Sequence, residues 1–467
     1  PVFDEEHRIV GFPEMDDIDG SEINYSALGG TGKSVSKMSS FFANASYSYL
    51  DKYILTGALR YDGSDIIGND NQFTPLWNVG LRWNLHREEF MKRWMWVDQF
   101  AVRGGFGYTG SIDKNALPFV VMTLGQSVIY DGQTVPTSFS YPNPNVKWQT
   151  KQDMNVGLDL SLFDYRLELG VNYYNNITRD VLDRKALPYS SGRSEVTENV
   201  ADIYNSGWEI DLGVTLLKNK SFQWYAKANI AINDNKVKNT YYKDTKDLPK
   251  ATLSNAHQFV ENQPVNGWYG YKFAGINPIN GAVMTYTGNG EATLDMSVSG
   301  ATWPIPSVFY LGNLTPPVVG GFSTSANWKQ LIFSANFEFK TGHKIKSFNT
   351  FRSLDARNRH TSEANRWREP GDITNVPAMS EAFTTYSSYM YDILLEKGNY
   401  LRCSYMTLGY NLKPEWLHKI GFSTARLSFT AKDLFTVSSY SGIDPALMGS
   451  FGYPNSRKYT ITLNVGF

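Results

Sequence analysis

The side chains best suited to recognition chemistry sit in two aromatic-bearing stretches. One is Trp268-Tyr269; the other is Asn365-Arg366-Trp367-Arg368 with Asp372. Trp303 lies between them in sequence. Flat aromatic faces stack on the C–H faces of sugar rings, and amide, carboxylate and guanidinium groups bond hydroxyls. This set could therefore hold an oligosaccharide. The structural alternative is that the same residues brace long loops.

Other chemistry is weaker. Asp62-Gly63-Ser64-Asp65 and Asn69-Asp70-Asn71 offer oxygen ligands that could hold a structural calcium, but the run lacks the full loop spacing and reads better as a solvated hairpin tip. Asp16-Asp17-Ile18-Asp19-Gly20 misses the calcium-loop frame, because Met15 stands where the first ligand belongs. Gly29-Gly30-Thr31-Gly32-Lys33-Ser34 lacks the four-residue gap of a phosphate loop, and no buried strand precedes it. Gly104-Gly105-Phe106-Gly107 falls in a strand pattern, where glycine permits bending or close packing. The six His show no paired spacing for zinc and no adjacent nucleophile, so no catalytic residue, metal or cofactor is assigned and an enzyme is not expected. Cys403 is the sole cysteine, which excludes an internal disulfide. A net charge of −1 gives no sign of a nucleic-acid partner.

The elements that must position these residues are strands. Tyr459, Ile461, Leu463, Val465 and Phe467 alternate with Lys458, Thr460, Thr462, Asn464 and Gly466 up to the end of the sequence. One face is apolar and the other polar over a length of about ten residues, enough to cross a bilayer at a tilt. The same period recurs in Val156–Leu162, in Leu167–Tyr173, in Glu209–Leu216 and in Leu331–Lys340. Asp159, Glu168 and Glu338 fall mid-strand on the polar faces, which a water-filled or polar-plugged lumen tolerates and a dry core does not. Aromatics at 15%, together with 39 Gly and negative mean hydropathy, fit strands whose two faces cancel in any average.

The pattern predicts about 13 spanning strands. They lie near 40–49, 52–62, 77–87, 99–109, 154–163, 166–178, 207–217, 222–235, 317–327, 331–341, 400–412, 426–438 and 457–467. Connections alternate between tight ones (50–51, 163–165, 218–221, 328–330) and long ones (110–152, 179–206, 236–316, 342–399, 439–456). That alternation is expected of periplasmic turns and extracellular loops, with Pro414–Ile420 as a short periplasmic helix. An odd strand number cannot close a single-chain bacterial barrel, so the remaining strands are expected from another polypeptide or a preceding segment. The absence of an initiator Met or leader before Pro1 predicts a trimmed or partial chain, and the topology favours a partial one.

Several stretches carry a resemblance. They are Tyr47–Gly63 (YSYLDKYILTGALRYDG), Asn143–Leu160 (NPNVKWQTKQDMNVGLDL), Val265–Gly281 (VNGWYGYKFAGINPING), Leu311–Phe322 (LGNLTPPVVGGF), Asn365–Pro377 (NRWREPGDITNVP), Gly398–Leu412 (GNYLRCSYMTLGYNL) and Ala431–Ser438 (AKDLFTVS). In this order they resemble the C-terminal barrel portion of SusC/RagA-like TonB-dependent outer-membrane transporters of Bacteroidota. The family's TonB box, plug domain and first barrel strands have no counterpart here. The resemblance implies a transmembrane antiparallel barrel of about 22 strands, of which this chain supplies about 13. Residues 1–38 would be an extracellular loop segment, a surface loop where a nick or a split is expected. Residues 39–467 would be the C-terminal part of the barrel.

The implied function is active import of an oligomeric nutrient, glycan before peptide, across the outer membrane of a Gram-negative bacterium. The implied partners are the plug-containing N-terminal portion, a SusD-like surface lipoprotein acting as a lid, the TonB–ExbB–ExbD complex acting through that plug, and outer-membrane lipid. Because Trp268 and Trp367 fall inside family-like words, the resemblance favours bracing or lid contact for them over sugar contact. A passive porin is the alternative class, and an outer-membrane enzyme the third. Loss of uptake without TonB separates active import from both.

Overall fold

The computed structural model describes residues 37–65, 67, 72–112, 147–186, 190, 195–241, 243–245, 259–294, 308–347, 364–378, 391–417, 421–447 and 453–467, and short strands at 2–3, 9–11, 122–130 and 133–139; at these four and at 183–186, 195–197 and 293–294 the backbone alone is described. The expected residues Trp303, Asn69, Asp70 and Asn71, with both the Asp16–Gly20 and Gly29–Ser34 runs, lie outside them. So does most of the 1–38 segment.

Thirteen strands form one antiparallel sheet in which every strand neighbours its sequence neighbours. They are β1 (Met38–Tyr49), β2 (Tyr53–Ser64), β3 (Phe73–Asn84), β4 (Val97–Ser111), β5 (Gln149–Leu162), β6 (Leu167–Ala186) and β7 (Glu195–Lys218). Then follow β8 (Phe222–Lys238), β9 (Val318–Trp328), β10 (Leu331–Thr341), β11 (Tyr400–Asn411), β12 (Thr424–Ser438) and β13 (Lys458–Gly466). The up-and-down order is complete from β1 to β13, and these two edge strands are not paired with each other.

Register carries the apolar alternation across the whole sheet. Val171 stands opposite Leu158 on one side and Ile210 on the other, and Ile210 stands opposite Ile230. Phe322 faces Phe337, the two rings stacked with centroids 4.6 Å apart, and Phe429 lies between Leu408 and Ile461. This apolar face is solvent-exposed: Leu59, Leu81, Val156, Leu408, Phe429, Ile461 and Leu463 all show large areas. A continuous apolar band on an exposed sheet face is what hydrocarbon covers.

The opposite face is polar. Arg82 Nη1 donates to Asp159 Oδ2 at 2.9 Å, and Arg103 Nε lies 3.5 Å from Asp159 Oδ1. Asn172 donates to Glu209 at 3.1 Å, and Lys227 sits 4.0 Å from Asp211. Partly exposed pairs such as these contribute little stability singly. What they establish is that this face meets water or polar protein.

Tight turns close one end. Leu50 and Asp51 both take φ near +52°, the turn twist that matches paired strands. Phe163, Asp164 and Tyr165 also sit at positive φ, and the Tyr165 amide donates to Asp98 at 3.0 Å. The same end carries an aromatic rim: Trp94 stacks on Trp96, Trp96 stacks on Phe163, and Tyr53 stacks on Trp83. Such rings suit a membrane–water boundary. Glu88 accepts from Lys52, Tyr53 and Trp83 there, and these bonds, the Tyr53 hydroxyl first, hold its carboxyl below the usual range.

All thirteen expected strands are present, with three corrections. The stretch 179–206 is not simply a loop, because β6 and β7 continue as a paired ladder to Ala186 and Glu195. Beyond the bilayer no lipid enforces apolar alternation, so the pattern fades while the backbone ladder persists. The strand expected at 77–87 runs Phe73–Asn84 instead, and Leu85–Arg87 turns into a 3-10 helix. The long connections 236–316 and 342–399 contain small sheets of their own. The expected short helix is present as Pro414–Leu417.

Candidate functional site

The long-loop end of the sheet carries a second, soluble-like core. The chain leaving β8 turns back on it, with the Asn262 amide donating to Val237 O at 2.9 Å and the Val237 amide to Gln263 O at 2.8 Å. It then builds a two-stranded sheet (Gly267–Gly270 with Phe309–Asn313) and a three-stranded one (Phe273–Ile276, Val283–Tyr286, Ala292–Leu294). Val260, Tyr269, Tyr271, Ile276, Val283, Val308, Val376 and Tyr391 form the buried cluster, with Trp367 and Tyr310 packed against it. Residues from both long connections, 236–316 and 342–399, thus share one core. Each fully buried aliphatic or aromatic side chain there contributes roughly 1.5–3 kcal/mol.

Trp268 is buried beside Leu311 and Leu395, and its indole N–H donates to Lys344 O at 2.8 Å. Tyr269 is wholly buried. Burial, with a smaller push from Tyr310, raises its hydroxyl well above the usual phenol range, and burial pushes Tyr310 up to about 12. Both remain neutral donors at any physiological pH. Neither Trp268 nor Tyr269 presents a ring face to solvent, so in this structure they pack loops.

The second stretch is also internally committed. The Trp367 indole donates to Pro278 O at 3.1 Å. Asp372 Oδ2 accepts the amides of Arg368 (2.8 Å) and Glu369 (3.2 Å), which folds the turn on itself. Arg368 Nη2 donates to Ala364 O at 2.9 Å. Arg366 pairs through its backbone with Val376. Asn365 and Arg368 are exposed, and Arg366 is half-buried. The structure therefore brings the Trp367 loop against the core that holds Tyr269, and leaves Asn365 and Arg368 as the accessible members.

Gly281 is where the two loops meet. It has φ +72°, and a Cβ placed on it would lie 2.5 Å from both the Trp367 ring and Ala378 Cβ. Gly281→Val is expected to loosen this loop body by roughly 1–3 kcal/mol through positive-φ strain and collision. Hydrogen exchange should rise in 273–286 and 366–376 while strands β5 to β8 keep their protection; unchanged exchange in those loops would contradict the assigned packing.

The polar wall holds groups that the sequence reading passed over. Arg402 is buried and bonded to Asp444. Asn205, Asn233 and Asn235 cluster near the long-loop end of β7 and β8. The recurrence of Asn at 233, 235, 262 and 266 was the available signal.

A sheet of antiparallel strands with an exposed apolar face, a charged inner face, tight turns at one end and folded loops at the other defines an outer-membrane β-barrel wall. The family model for TonB dependent receptor-like β-barrels matches residues 6–338. TonB-dependent receptor P3 of Formosa agariphila is 29% identical over 92% of this chain and 45% of that protein. TonB-dependent receptor SusC of Bacteroides thetaiotaomicron is 23% identical over 92% of this chain and 43% of that protein. A solved structure of the RagAB peptide importer in its open-open state superposes with a TM-score of 0.75 at 25% identity, covering 94% of this chain and 49% of that one. The chain belongs to the TonB-dependent receptor β-barrel family, an outer-membrane family, and is of SusC/RagA type. It spans about half the length of the curated relatives it matches.

Proposed function

We propose that this chain forms the C-terminal wall of an outer-membrane importer for an oligomeric nutrient, glycan first. The observation that carries the reading is the two-faced sheet. Its apolar side suits lipid, and its inner side carries Arg82, Arg103, Asp159, Glu209, Asp211 and Lys227 along a polar passage. The unpaired edges β1 and β13 would accept the remaining strands, from a portion that also carries the plug. Open edges in lipid leave amides unsatisfied at several kcal/mol each, so the wall requires that complement. TonB–ExbB–ExbD would act through the plug, and a SusD-like lipoprotein would cover the loop end. No step in this reading calls for a bound cofactor, a catalytic residue or calcium. Asn365, Arg366 and Arg368 would face the passage mouth, with Trp268, Tyr269, Trp367 and Asp372 holding the loops in place.

Peptide cargo is the second reading, favoured by the likeness to the RagAB peptide importer. Uptake of fluorescent oligosaccharides and oligopeptides by cells with and without TonB tests both. Glycan uptake that vanishes with TonB supports import. Uptake of equal rate without TonB points to a passive pore instead.

A further inference from the structure

Where β7 and β8 leave the polar face at the loop end, the returning chain walls off a cleft of about 500 Å³. That is within the size range of small-ligand sites. Its walls are unusual in chemistry: six asparagines (205, 233, 235, 262, 266 and 313) line it together with Tyr310, Thr315 and three prolines. Asn205 stands opposite Asn235 in the ladder, and Asn233 opposite Gly207, on the same strand face as Glu209 and Asp211. The cleft therefore opens on the inner side of the wall.

One backbone bond fixes which way the Asn235 and Asn205 amides turn. The Val265 backbone N–H can only donate, and it donates to Asn235 Oδ1 at 2.7 Å. The Asn235 Nδ2 must then donate to Asn205 Oδ1, at 2.6 Å. That assignment leaves the Asn205 NH₂ without a partner among the described residues. The Asn233 Oδ1 is engaged with the Tyr174 hydroxyl at 2.7 Å, and the Asn313 Oδ1 with the Tyr310 hydroxyl. With the Tyr174 and Tyr310 hydroxyls as donors, all three of these asparagines turn their carbonyls to the protein, and their NH₂ groups make no bond among the described residues. Asn266 does the reverse: its Nδ2 donates to Thr315 Oγ1 at 3.0 Å, leaving an acceptor.

Two charged residues, Asp234 and Lys236, also line the cleft, and they pair with each other 2.6 Å apart; outside it Lys238 is held on Asn262 Oδ1. The cleft thus offers several neutral donors, at least one neutral acceptor, and apolar surface from Pro264, Pro316 and Pro317. Peptides are commonly gripped through an unpaired strand edge or by charged partners for their termini. Little of either is offered: past Ile232, where the β9 ladder ends, the Asn233 amide is taken by Pro317 O and the Val237 amide by Gln263 O, and the charged pair at the cleft, Asp234 and Lys236, is closed on itself. Hydroxyl and ring oxygens, by contrast, match side-chain amides, and sugar C–H faces match the prolines.

We propose that this cleft is a binding subsite for an uncharged glycan segment, held on its oxygens by the free amide donors of Asn205, Asn233 and Asn313. The proposal rests on the importer reading and adds where the cargo is gripped and that anionic glycans are disfavoured.

Two near-isosteric variants test it in the complete transporter. Asn205→Asp and Asn313→Asp keep the oxygen that Asn235 or Tyr310 uses, and replace only the free donor. Titration calorimetry would use a panel of neutral hexasaccharides (glucan, mannan and xylan), a sulfated glucan hexasaccharide and a mixed hexapeptide pool. At least one neutral hexasaccharide is expected to bind, and each variant should weaken it about tenfold or more, as loss of a donor plus an added negative charge predicts. Binding unaffected by both variants overturns the subsite, as does tighter binding of the sulfated sugar or the peptides, or no neutral sugar binding at all. TonB-dependent uptake by cells is scored separately. If uptake persists while the variants change nothing, the subsite fails and the importer stands. If uptake never depends on TonB, the importer reading fails.

Discussion

Ile230→Arg is expected to destabilise the assembled barrel by about 2–4 kcal/mol, whereas Asn229→Arg one residue away should cost little. The two positions are adjacent on β8 and share its backbone environment. Ile230 stands opposite Ile210 on β7 and Gly320 on β9, in the middle of the apolar band. A guanidinium there must reside in hydrocarbon or drag water in. Asn229 stands opposite Asp211 on the polar face, where a new cation gains a carboxylate neighbour and stays wet. Denaturant unfolding of the folded transporter in lipid vesicles, with the amount reaching the outer membrane measured in parallel, reads the difference. Equal costs at both positions would mean that the exposed apolar face is not the lipid face, and the membrane reading would fall with it. A soluble sheet packed against a second layer would also punish Ile230→Arg, but the ranking would then appear without any bilayer.

The strands were legible because lipid imposes a strict period of two. Where Val156, Leu158 and Leu160 must all touch hydrocarbon, the alternation writes itself into the sequence, and every strand but β6 and β7 was locatable within about five residues at each end. The same reasoning explains what was missed. Above the bilayer, β6 and β7 continue to Ala186 and Glu195 by backbone pairing alone, which leaves no periodic mark. The loop body is harder still. Tyr269, Val376 and Tyr391 lie far apart in sequence yet share one core, and nothing local announces that meeting. Trp268 and Tyr269 stayed open between sugar contact and loop bracing because an aromatic in a loop has the same composition whether it faces a sugar or a core. The cleft asparagines escaped notice for the opposite reason: asparagine is common in loops, and only the bond from Val265 to Asn235 to Asn205 reveals a free donor.

Arg402→Met is expected to cost about 3–5 kcal/mol and to release the connection between β12 and β13. Arg402 is 4% exposed and lies on the polar face of β11. Its Nη2 reaches Asp444 Oδ1 at 2.5 Å, its Nε donates to Thr436 Oγ1 at 3.1 Å, its Nη1 lies 3.9 Å from Glu338, and its guanidinium sits 5.3 Å from the Tyr400 ring centre. Asp444 is also buried, at 8% exposure, and its other commitment is the Ala446 amide at 2.9 Å. The pair thus ties residues 440–447 down onto strands β10 to β12. Removing the cation leaves the Asp444 carboxylate buried without a counter-charge, which is far costlier than removing both charges together. Arg402→Met combined with Asp444→Leu should therefore recover most of the loss. Limited proteolysis reports the connection directly: cleavage within 439–456 should accelerate in Arg402→Met and slow again in the double variant. Equal cleavage in the two would show that the loop is held by its other contacts, such as the Tyr440 hydroxyl on Lys346 O at 3.0 Å and the Ser441 amide on Glu396 at 2.8 Å. Those bonds engage residues 440 and 441, the root of the connection, whereas the charge pair holds Asp444 further along it.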